Sequence, residues 1–234
     1  MSEKLEENNI KNSDFIFGRK ENTVYILLII LGIGGIIIRL FSFPYDIPLG
    51  MDATTYFWYA TDMSILGNIP SGYNFPNTSW SMFISIFFSL FESEKILDYM
   101  ILQRVLGIII SVATIVPVYL LCRKFVSIPY SLLGALFFIL SPRLIIDSWI
   151  GGTITPFIFL FATSLFFLLS NNKKLIFASF AILALFTLVR YEGMVLLIPF
   201  LIIFFIKFKK ERFILAKMAI PILIFIIILM PFAY

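Results

Sequence analysis

Val24-Tyr-Ile-Leu-Leu-Ile-Ile-Leu-Gly-Ile-Gly-Gly-Ile-Ile-Ile38 runs without one charged side chain. Ile108–Cys122, Trp149–Leu169 and Phe213–Phe232 are nearly as apolar. A helix needs roughly 20 mainly apolar residues to cross a hydrocarbon core. Inside that core every backbone N–H and C=O must be paired within the protein, so only helices and closed barrels can span it. These runs lack the two-residue alternation of barrel strands. The sequence therefore predicts an all-α, polytopic transmembrane bundle.

Composition agrees. The chain is 60% hydrophobic and 14% charged, against roughly 45–50% and 25% in soluble domains. Its net charge of +4 gives no reason to invoke nucleic acid. It has no histidine, which excludes a Ser–His–Asp set and imidazole metal ligation. Cys122 is the only cysteine, so neither an internal disulfide nor a cysteine cluster for zinc can form. A buried structural thiol is expected there.

The spacing predicts about seven spans: Val24–Leu40, Met100–Leu121, Phe125–Pro142, Trp149–Leu169, Leu175–Val189, Met194–Ile206 and Phe213–Phe232. Residues 1–23 form a polar tail ahead of an uncleaved first span, because the run lacks a small-residue cleavage site. Phe75–Phe91 is apolar too, but short and interrupted by Pro76 and Asn77. Cytoplasmic loops are enriched in Lys and Arg, and that rule decides its place. If Phe75–Phe91 stays on the outside, the inner face receives Arg123, Lys124, Lys173, Lys174, Lys207, Lys209, Lys210, Arg212, Lys217 and the basic residues of the tail. The outer face then keeps only Arg39, Lys95, Arg104, Arg143 and Arg190. A crossing would invert the later loops against the rule. The expectation is a multi-pass protein of the cell membrane with a cytoplasmic N-terminus. Residues 24–234 make one transmembrane module, with an outer loop over 41–99 carrying interfacial helices at 53–66 and 76–91.

That loop opens with Pro44, Pro48 and Gly50, a non-helical lead-in. Asp52 then precedes Ala53–Leu66, where Tyr56, Tyr59, Ala60, Met63 and Leu66 share a face at helical spacing. Asp52 reads as an N-cap or as a general base. Asn77-Thr78-Ser79 has the form of a glycosylation acceptor. Four of the five outer cations are Arg, whose planar fork suits phosphate and carboxylate. They are candidates for an anionic headgroup. They could equally pair with Asp98, Asp147 and Glu192.

Gly50-Met-Asp52-Ala-Thr-Thr-Tyr56-Phe-Trp-Tyr-Ala60, Gln103-Arg104-Val-Leu-Gly107, Gly134–Pro142 and Ala184–Gly193, in this order, resemble the N-terminal module of the GT-C class. These are polytopic glycosyltransferases that use lipid-phosphate sugars, among them protein O-mannosyltransferases, aminoarabinose transferases and oligosaccharyltransferase catalytic subunits. The resemblance implies transfer of a sugar from a polyprenyl-phosphate-linked donor to an acceptor hydroxyl at the outer face. It implies Asp52 as catalytic base. It implies Arg190, Arg104, Arg143 and Arg39 around the donor phosphate, Arg190 foremost, with Asp147, Glu192 and Tyr56 in support. Many relatives carry a second acid where this chain has Thr155-Pro156, and most are longer. No cofactor is expected, although Asp52, Asp46 and Glu192 could hold Mg or Mn, since carboxylate oxygen suits hard cations. Two alternatives stand beside the enzyme. One is a non-catalytic or fragmentary subunit working with a further membrane protein, and the other is a transporter of lipid-linked cargo.

Overall fold

The computed structural model describes residues 2–50, 52–70, 78–211 and 213–232. Among these every regular element is a helix, with no strand. Helix α1 (Ser2–Phe41) includes the polar tail, and its apolar part is Asn22–Phe41. Helices α2 (Asp52–Leu66) and α3 (Ser79–Phe88) follow. Helices α4 (Ile96–Ala113) and α5 (Ile115–Cys122) form one long rod. After it come α6 (Ile128–Leu140), α7 (Pro142–Ile150), α8 (Ile154–Leu168), α9 (Lys173–Val189), α10 (Gly193–Phe208) and α11 (Ile214–Leu229), closed by a 3-10 turn at Met230–Phe232.

Asn22–Phe41 and Ile96–Cys122 are long and apolar enough to cross a membrane, and these helices mark the chain as a membrane protein. The bent pair α6–α7 is a third if it counts as one span. Helices α8 and α10 and the stretch Ala216–Phe232 are apolar but shorter. At 1.5 Å per residue α8 covers about 22 Å, less than the roughly 30 Å of a hydrocarbon core.

Two expected spans have different limits. The stretch 125–142 is broken: α6 stops at Leu140, and α7 leaves it at 50°. The cause is local. Ser141 precedes Pro142, and the proline ring forces the residue before it out of the helical region; Ser141 has ψ 118°. Trp149 then belongs to α7 rather than to the next helix, because Gly151 ends α7 in the left-handed conformation at φ 76°. Within α4–α5, Pro117 lacks the N–H that would bond the carbonyl at 113, which explains the seam at Thr114.

Three apolar cores hold the helices. One joins α1, α4–α5 and α6 through Val24, Ile108, Val112, Ile115, Ala135 and Ile139. A phenylalanine-rich core joins α8 to α11, with Phe180 edge-on to both Phe200 and Phe204 at 5.9 Å. The third seats α2 and α3 on α4 through Ala53, Tyr56, Phe57, Ala60, Trp80 and Ile84. The face of α2 that the helical period picks out is buried at Tyr56, Tyr59, Ala60 and Met63, whereas Leu66 is exposed. Helix α3 is shorter than the 76–91 expected. Pro76 and Asn77 of that stretch, and with Asn77 the glycosylation acceptor, lie outside the described residues. Cys122 is half-buried rather than buried, with its sulfur beside Gly134.

The bundle has two chemically different ends. At one, Lys207 Nζ donates to the carbonyls of Leu168 (2.8 Å) and Ser170 (2.6 Å), Lys173 and Lys217 both pair with Glu211, and Lys124 lies over Phe166. At the other, Trp149 Nε1 donates to the carbonyl of Arg39, and the loop before α2, the α7–α8 turn and the α9–α10 turn come together.

Candidate functional site

The second end is where the candidate residues lie. Its foundation is the proline-rich lead-in 41–50. Prolines donate nothing, so the carbonyls of such a segment need donors from elsewhere. Arg104, rising from α4, supplies them: Nη1 donates to Pro44 O (3.0 Å) and Ile47 O (2.6 Å), and Nη2 to Pro48 O (3.0 Å). Its guanidinium also stands 5.9 Å from the Phe43 ring. Thr54 Oγ1 closes the segment onto Leu49 O at 2.9 Å. Arg104 therefore fixes where α2 begins.

The start of α2 is held a second time. Gln103 Nε2 donates to Ala53 O (3.1 Å) and to Gly151 O (2.7 Å), and Trp80 Nε1 donates to the same Gly151 carbonyl at 2.9 Å. One amide and one indole thus tie α2, α3 and α4 to the α7–α8 turn. Gln103 stands in a stretch quoted for the resemblance but carried no expected role, and Trp80 and Gly151 were not site candidates. A lone Gln in an apolar helix and a Gly-Gly pair were the available signals, since a buried amide must find partners.

Asp52 sits in the first turn of α2, which begins one residue earlier than the pattern predicts. It is exposed, and among the described residues no hydrogen bond or ion pair engages it. Tyr56, four residues on, shares its side of the helix. Tyr56 in turn lies within electrostatic range of Arg190, on the α9–α10 turn. Arg190 Nε (3.1 Å) and Nη2 (2.6 Å) grip Glu192 Oε1, and the guanidinium stands 5.5 Å from the Phe157 ring. The hydrogen bond to Glu192 raises the pKa of Arg190, and the same bond holds the Glu192 carboxyl below its ordinary range. Arg190 is 37% exposed along its side chain, so its fork is both oriented and open to a ligand.

The four arginines divide. Arg39 is fully buried between α1, α4 and α6; it donates to Gly35 O, Ile139 O and Ser111 Oγ. Arg104 is spent on the lead-in carbonyls. Arg143 is 76% exposed and uses only Nε, on Asp147 four residues on in α7 at 3.1 Å. Asp147 is buried, and its second oxygen has no partner. Arg143 and Arg190 therefore keep exposed guanidinium nitrogens, whereas in Arg39 and Arg104 the nitrogen left without a partner, Nε, is buried. Thr155 is buried in the first turn of α8 with Oγ1 unpartnered, beside Gly107. Among the described residues no three acidic or cysteine side chains gather as a metal site would require.

The fold defines the class: an all-helical membrane protein with two helices docked on one end of the bundle. No family model matches the chain, and neither a curated protein nor a solved structure matches it.

Proposed function

We propose that the chain is a membrane glycosyltransferase. It moves a sugar from a polyprenyl-phosphate-linked donor to an acceptor hydroxyl. The chain crosses the bilayer about seven times, and the end carrying α2 and α3 faces the outside. The observation that carries the reading is an exposed, unpartnered carboxylate, Asp52, on a helix rigidly seated beside an oriented arginine, Arg190. The resemblance of Gly50–Ala60 and Ala184–Gly193 to GT-C modules supports it, as does the gathering of Lys-rich turns at the opposite end.

In this mechanism Asp52 accepts the proton of the acceptor hydroxyl as that oxygen bonds to the anomeric carbon. The bond from the anomeric carbon to the lipid phosphate breaks, and its electron pair leaves on the phosphate. Arg190, assisted by Arg143, neutralises that charge. Glu192 holds Arg190 in place.

The test is transfer of radiolabelled sugar from a panel of polyprenyl phosphates to acceptor in membranes carrying the chain. Asp52→Asn removes the base without touching packing, so folding persists and transfer falls by roughly 10²–10⁴-fold. Arg190→Gln lowers transfer while leaving donor dependence measurable. Full activity in Asp52→Asn sinks the base assignment. No transfer by folded wild type with any donor sinks the enzyme and favours the partner-subunit reading.

A further inference from the structure

A second feature lies at the opposite end and serves no part of the proposed reaction. Between α1 and α5 runs a groove of about 490 Å³, walled by Val24, Leu28 and Ile29 on one side and Val116, Tyr119 and Leu120 on the other. Of all the residues that line it only one is charged, Arg123. Val116 to Arg123 spans about 10 Å of helix at 1.5 Å per residue, so the groove is short.

Arg123 is exposed and donates from Nη1 to Val126 O at 2.9 Å. Its other nitrogens have no partner among the described residues. Lys124 stands next to it, and its charge also bears on Lys207. The acid recorded on the α10–α11 turn, Glu211, is already shared by Lys173 and Lys217 at 2.6 and 2.7 Å. The mouth of the groove thus carries one cation, Arg123, with no described carboxylate to balance it.

An occupant must be apolar along its length and anionic at one tip. A groove about 10 Å long offers a partner helix only about two turns of contact, and an apolar helix would leave Arg123 unanswered. We propose that the groove is a binding site for one anionic phospholipid, with an acyl chain between α1 and α5 and the phosphodiester on Arg123. Arginine's fork suits a phosphodiester, and basic pockets between membrane helices take anionic headgroups. The bound chain would fill the seam where α1, mostly exposed along its apolar length, meets the rod of α4 and α5.

The full chain, purified in detergent, is titrated with phosphatidylglycerol or phosphatidylcholine of matched chains, or with glycerol phosphate. Bound adducts are counted by native mass spectrometry. One basic contact gives a preference of about fivefold for the anionic lipid. Arg123→Gln should bring that preference close to one. Ile29→Trp provides a control that spares the charge: Ile29 is 61% exposed, so the indole fills the groove without entering a core and should weaken phosphatidylglycerol binding with Arg123 intact. Glycerol phosphate should bind weakly, since it lacks the tail. The proposal is overturned by an undiminished lipid preference in folded Arg123→Gln. It is equally overturned by unchanged binding in Ile29→Trp, or by glycerol phosphate competing as well as the lipid does.

Discussion

Gly193→Ala adds one methyl group at the point where α10 turns away from α9, beside the Arg190–Glu192 pair. An added Cβ would stand 2.5 Å from both Phe186 Cδ1 and Thr187 Oγ1, and 2.8 Å from Thr187 Cα. None of these can easily yield. Phe186 is fully buried with its ring 4.4 Å from that of Phe157. Thr187 Oγ1 is bonded to Leu183 O at 2.9 Å, and the third atom is backbone. Overpacking of this kind costs about 1–3 kcal/mol. Alanine's better helix propensity returns at most about 1 kcal/mol, and less at the first residue of a helix. The clash therefore wins. The apparent melting midpoint should drop by about 2–4 °C per kcal/mol for a chain of this length. Exposure of Cys122, the only thiol, to a reactive dye during heating reads the transition. Gly50→Ala serves as control, because nothing lies within 4 Å of its added Cβ. A Gly193→Ala protein that melts at or above the wild type, with the control unchanged, would refute the close packing of α10 on α9.

Arg104→Met keeps the volume but strips three carbonyls of their donor, so residues 41–50 should exchange amide hydrogens faster while α8–α11 stay protected; equal exchange would show that the lead-in is held by something else. Trp80→Phe removes a single bond to a carbonyl that Gln103 still serves, a loss of about 1 kcal/mol. Gln103→Leu removes two bonds at once and should cost more; thermal unfolding of the two variants in the reverse order contradicts the junction. The Glu192 carboxyl lies below its ordinary range because of Arg190. Its contribution to stability is therefore present above the unfolded carboxylate pKa of about 4.3, and is lost as pH falls through the folded value. The difference in melting midpoint between wild type and Glu192→Gln should be flat from pH 7 to 5 and shrink below about pH 4.3. A difference that grows on acidification contradicts the pair.

Much of the fold was legible because it depends on local quantities. Run length and the need to pair every backbone group select helices. The period of 3.6 residues picks out Tyr56, Tyr59, Ala60, Met63 and Leu66 as one face of α2, and all but Leu66, at the helix end, are seated. The break before Pro142 was also present in the sequence, in the steric clash between a proline ring and its predecessor, although hydropathy read across it as one span. Asp52 was legible as a helix-start acid, but nothing local says whether such a carboxylate is engaged or open.

The fates of the four arginines show where local reading ends. In sequence they look alike, each near the end of an apolar run. Arg39 and Arg104 have turned inward to carbonyls up to 100 and 60 residues away. Arg143 and Arg190 have found acids four and two residues away and stay partly in the open. The sequence by itself determined the helical membrane class, the face of α2 and the pool of candidate cations. The tertiary structure decided which cations remain for a ligand. A guanidinium is claimed by whichever unpaired acceptors the packing brings within about 3 Å, and those acceptors are backbone carbonyls that no side-chain pattern reveals.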